Sequence, residues 1–93
     1  MKRIAFAVML AALTACAVKA PVQEMAEARS AIATARSIVS ESDASNAELI
    51  SAEQALQQAA DAIEQQRFEQ ARRLALEAKR KAQNAVSRKK NGQ

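Results

Sequence analysis

Apolar residues recur along this chain in steps of three and four, and the residue at most of those steps is alanine. One series runs Met25, Ala28, Ile32, Ala35, Val39 and a second runs Leu49, Ala52, Leu56, Ala59, Ile63. A third runs Phe68, Ala71, Ala75, Ala78, Ala82, Ala85. Alternating steps of three and four are the seam of a packed helix, so the spacing predicts an all-α chain. Phe68 is the only aromatic residue after position 15, and 19 of the 78 residues from Cys16 onward are alanine. Such knobs are small, and each buries little area. A chain of this size is marginal on its own core, so an oligomer, a partner protein or a lipid surface are ways to add stability.

The first helix is expected over 22–41. Pro21 suits a helix start, and Glu24 and Glu27 favour the positive end of the helix dipole. Ser42 to Asn46 favours a turn, because short polar side chains compete for backbone hydrogen bonds. Ser45 and Glu48 have capping-box spacing, which starts the second helix at 46 and carries it to 64. The step from Ile63 to Phe68 is five. It fits either a turn near Gln65–Arg67 or a stutter within one long helix. The third apolar series predicts helix over 68–87, and residues 88–93 read as a fraying, basic tail.

Residues 1–15 have the parts of a secretory signal. Lys2 and Arg3 precede an uncharged apolar run from Ile4 to Leu13, and the small residues Thr14 and Ala15 precede Cys16. The run is shorter than the roughly 20 residues a membrane-spanning helix needs. Leu13-Thr14-Ala15-Cys16 resembles the bacterial lipoprotein signal. That resemblance implies cleavage between Ala15 and Cys16, acylation of Cys16, and a tether over 16–21. Ala17 stands where enterobacterial lipoproteins kept in the inner membrane carry aspartate. The expected location is therefore the periplasmic face of the outer membrane.

Charge is polarised along the chain. Residues 22–66 hold eight acidic and two basic side chains, whereas 67–93 hold two acidic and nine basic. Arg72, Arg73, Lys79, Arg80, Lys81 and Arg88 are candidate contacts to an anionic surface, against the plainer reading of a solvated face. Ile50 and Leu76 lie off the apolar seams and are candidate partner contacts, against the plainer reading of isolated exposed residues. After residue 16 there is no His, Tyr, Trp or second Cys, and the only glycine is Gly92. No phosphate-cradling loop, nucleophile–base pair or metal-ligand spacing follows from these residues. The expectation is no enzyme activity, no metal and no cofactor beyond lipid on Cys16. Expected partners are the membrane, through that lipid, and an envelope protein or peptidoglycan, with no nucleic acid. A homo-oligomer stays open.

Several stretches resemble the small bacterial lipoproteins of domain of unknown function 4398. They are Pro21-Val22-Gln23-Glu24-Met25 with Ala28, Ala31-Ile32, Glu48-Leu49 with Ala52 and Leu56, and Ala62-Ile63. The most distinctive is Phe68-Glu69-Gln70-Ala71-Arg72-Arg73-Leu74-Ala75. That last piece also resembles the start of the second helix of a tetratricopeptide repeat, which favours a turn before Phe68. The family usually has glycine near that turn; this chain has Gln66-Arg67. A second resemblance, to alanine-rich murein lipoproteins, implies a coiled coil touching peptidoglycan. The fold expected is a small antiparallel three-helix bundle with a tetratricopeptide-like second helical hairpin. The function expected is a non-catalytic interaction module of the cell envelope.

Overall fold

A computed structural model describes residues 20–92. The signal segment, its cleavage site and Cys16 lie outside the described residues. Three helices follow: α1 (Val22–Ile38), α2 (Asn46–Glu64) and α3 (Phe68–Lys90). Among the described residues there is no strand.

Helix α1 ends three residues short of the expected boundary. Val39 is extended (φ −98°, ψ 118°) and buried. The backbone N–H of Ser40 goes to the Asp43 carboxylate at 2.7 Å instead of to a helix carbonyl. A short acidic side chain three residues ahead outcompetes the helical bond, and the helix stops. The Asp43 N–H donates to the Ser40 carbonyl at 3.1 Å and the Asn46 N–H to the Asp43 carbonyl at 3.1 Å, which closes the turn.

The expected capping box at Ser45 does not form. Ser45 has helical angles (φ −75°, ψ −5°) and makes no side-chain cap bond. Its hydroxyl is buried with no hydrogen-bond partner among the described residues. A capping side chain needs an extended backbone to reach forward, and this one is turned inward. Glu48, the other half of the box, takes a bond from Arg88 at 3.1 Å.

Between α2 and α3 the chain turns rather than stutters. Gln66 is left-handed (φ 61°). The Arg67 N–H donates to the Ala62 carbonyl at 2.8 Å, and the Gln66 N–H donates to the Ile63 carbonyl at 2.9 Å. These two bonds form a Schellman motif, which satisfies the last carbonyls of α2 with main chain alone.

Helix α3 is the centre of the bundle. Both α1 and α2 pack chiefly on it, and the α1–α2 contact is the slightest. Lys79 on α3 reaches Glu27 on α1, and Ala31 and Thr34 lie beside Gln83 and Val86, so α1 and α3 run parallel. Helix α2 runs antiparallel to both. Ala71, Ala75, Ala78, Ala82 and Ala85 of α3 are all fully buried. Alanine at the contact lets helix axes approach closely.

The expected seam of α1 is the observed one. That of α2 rotates by one residue towards the alanines, with Ala55 and Ala62 buried and Leu56 and Ile63 half-buried at the margin. Large side chains do not fit where two alanine faces meet, so they pack beside the contact instead. Helix α3 also continues to Lys90, where a frayed tail over 88–93 was expected. Arg88 and Lys89 are held by carboxylates of other segments. Three basic residues in the last turn also suit the negative end of the helix dipole.

Candidate interaction surface

The cations of α3 fall into two sets. Those on its flanks are drawn to the rest of the bundle. Lys79 Nζ donates to Glu27 Oε1 of α1 at 2.6 Å. Lys81 Nζ donates to the Ser51 hydroxyl of α2 at 2.8 Å and lies 3.6 Å from Glu77. Lys89 Nζ donates to Asp43 Oδ1 of the first turn at 2.7 Å. Arg88 meets Glu48, Arg72 pairs with Glu69 within α3, and Arg36 of α1 donates to Glu53 of α2 at 2.7 Å. The acidic half of the sequence therefore folds back on the basic half. Three of the nine cations after residue 66, Lys79, Arg88 and Lys89, pair with carboxylates before it.

These contacts show in the acidity of the carboxyls. The hydrogen bond from Lys79, with a second from Gln23 and the ammonium charge, holds Glu27 below the usual carboxylate range. Asp43 is lowered in the same way, first by Lys89 and then by the Ser40 backbone N–H.

The second set of cations faces outward. Arg73, Arg80 and Lys90 are exposed and have no ion-pair partner among the described residues. Of the six predicted anionic-surface contacts, the structure thus leaves Arg73 and Arg80 open, while Arg72, Lys79, Lys81 and Arg88 are paired internally. Leu76 lies among the open set and is 43% exposed; Ile50, on the outer side of α2, is also 43% exposed. The structure does not bring Ile50 and Leu76 together, because they sit on the outer faces of different helices.

The profile for Domain of unknown function (DUF4398) matches residues 23–93. The chain belongs to the DUF4398 family. No curated protein and no solved structure matches it.

An open cleft of about 620 Å³ is lined by Arg36, Val39, Ser40, Glu41, Asn46 and Ile50, at the end of the bundle where α1 turns into α2. Arg36, Ser40 and Asn46 are engaged in the turn and in the Arg36 bonds, Glu41 is exposed, and no histidine or thiol is among the lining residues. Among the described residues no group of three or more His, Cys, Asp or Glu side chains gathers to hold a metal. No described helix is long and apolar enough to cross a membrane.

Sequence reading assigns Glu27 to the helix dipole and Glu48 to a capping box, and predicts none of Glu27, Asp43, Glu48 and Glu53 as an ion-pair partner. The opposite charge of the two halves was the available signal. Assigning pairs needed the register between helices.

Proposed function

We propose that this chain is a lipid-anchored, non-catalytic interaction module of the bacterial envelope, held at the periplasmic face of the outer membrane through Cys16. The observation that carries this reading is Leu13-Thr14-Ala15-Cys16 at the end of an uncharged apolar run behind Lys2 and Arg3. Diacylglycerol on the Cys16 sulfur and an acyl chain on its amino group would hold it far more firmly than one chain, whose binding alone is marginal. Support for the non-catalytic role comes from the composition, which offers no histidine and no second thiol. It comes also from the use of four carboxylates, Glu27, Asp43, Glu48 and Glu53, in ion pairs between segments of the fold. The α2–α3 hairpin reads as tetratricopeptide-like, with Phe68 after a short turn and Ala71 and Ala75 at the close approach.

The test is metabolic labelling with an alkyne analogue of palmitate, followed by membrane fractionation. Wild-type chain is expected to take the label and float with outer membranes. Cys16→Ala should take none and stay unprocessed. Label on the variant, or wild-type protein recovered unlabelled and soluble, would sink the reading.

A further inference from the structure

The outer faces of α2 and α3 carry a second set of positions in steps of three and four, opposite the buried seams. On α3 it is Arg73, Leu76, Arg80, Gln83, Ser87 and Lys90, and all six are exposed. On α2 it is Ala47, Ile50, Gln54, Gln57, Asp61 and Glu64, and all six are again exposed. One row is basic and the other acidic. Each has one large apolar side chain, Leu76 or Ile50. From Ile50 to Glu64 and from Leu76 to Lys90 the separation is the same fourteen residues, about 21 Å of helix.

We infer that the outer face of α2 in one copy docks on the outer face of α3 in a second copy, with Ile50 against Leu76. Setting these two side chains together with the helices parallel sets Glu64 beside Lys90, Gln54 beside Arg80 and Gln57 beside Gln83. Matched steps of three and four are the geometry by which two helices interlock. The opposite charges guide the encounter and set the register more than they add affinity. The contact is heterologous, so the first copy keeps its basic α3 face and the second its acidic α2 face for further neighbours. Helices α2 and α3 are antiparallel within a chain, so the second copy is inverted, and copies tethered to one surface pair with their long axes lying along it.

A lipid bilayer is a poorer occupant of the α3 face. Helices that bind in the interface plane bury a broad apolar face, and this one has a single leucine. An unrelated protein would have to reproduce the spacing and charge that α2 already has.

This inference rests on the reading of the chain as an interaction module. Palmitate labelling tests the anchor separately, so either can fail visibly without the other. The experiment coexpresses two differently tagged full-length chains, one Ile50→Cys and the other Leu76→Cys, with oxidation in intact cells. All the substituted residues are exposed, so the fold is kept. The mixed disulfide is expected at about ten times the yield of either like pair or of chains with no added cysteine, the ratio of a contact favoured by roughly 1.4 kcal/mol. Adding Glu64→Lys to the first chain should lower the yield severalfold, and Lys90→Glu in the second should restore it. Like pairs alone, no adduct, or an adduct only to another protein would overturn the inference. So would pelleting with phosphatidylglycerol vesicles that Arg80→Glu abolishes while no mixed disulfide forms. Failure of Lys90→Glu to restore the yield would overturn the parallel register.

Discussion

The two turns of this bundle are built from different materials. The first, between α1 and α2, is made by side chains: Asp43 takes the Ser40 N–H and hydroxyl, Lys89 comes from the far end of α3, and Ser45 is turned inward. The second, between α2 and α3, is made by main chain, through two bonds to the carbonyls of Ala62 and Ile63 around a left-handed Gln66. A turn built by distant side chains depends on the rest of the fold and on pH. A turn built by backbone depends on whether one residue tolerates an unusual angle. The two should respond differently to the same kinds of change.

The largest difference is expected at Ser45. A buried, unpartnered hydroxyl costs about 1–3 kcal/mol, so Ser45→Ala should raise stability by about 1 kcal/mol in urea unfolding. A true helix cap would give the opposite sign, a loss of about 1 kcal/mol, and that result would break the account of the first turn. Next comes Gln66→Gly, which should stabilise by about 0.5–1 kcal/mol, because glycine adopts a φ of 61° without steric cost. A loss of stability there would remove the left-handed turn from the argument.

Smaller effects come from charge. Lys89→Gln should lower Tm by leaving Asp43 without its ion pair, whereas Arg67→Gln, in the other turn and exposed, should leave Tm unchanged. Equal responses would erase the distinction between the turns. The smallest effect is the pH dependence, since the groups involved are largely open to solvent. Glu27 and Asp43 titrate below their ordinary range in the fold. Their contribution is therefore complete above the unfolded carboxylate range near about 4, and is lost as pH falls through the lower folded values. Thermal melts should show that loss in acid, and Glu27→Gln with Asp43→Asn should flatten it. An unchanged acid limb in the double variant would contradict the assignment.

Much of this architecture is legible in residue spacing. Periodicity places three helices, and α2 begins at Asn46 and α3 at Phe68 as spacing predicts. The all-alanine seam of α3 from Ala71 to Ala85 is read straight from the step pattern. The end of α1 is not, because Asp43 stops it from outside the helix. The cap at Ser45 is misread because spacing cannot show which way a hydroxyl turns. The seam of α2 is off by one residue for a related reason. Spacing alone ranks Leu56 above Ala55, but only a facing alanine ridge makes the smaller residue the better fit.

The functional residues divide along the same line. Leu76 and Ile50 stand out in sequence because a helix turns about 100° per residue, which puts them off the apolar seam, and both are exposed in the fold. The basic residues of α3 cannot be sorted that way. Helical spacing says that Lys79, Arg80 and Lys81 point in three directions, but not what each meets. That is decided by α1 lying parallel to α3 on one flank and α2 antiparallel on the other, which brings Glu27 to Lys79 and Ser51 to Lys81 and leaves Arg80 facing outward. Helix formation is a short-range matter of propensity and periodicity, so the chain's own order of residues carries it. Ion pairing acts across segments up to 52 residues apart, and only the packed register of the helices chooses the partners.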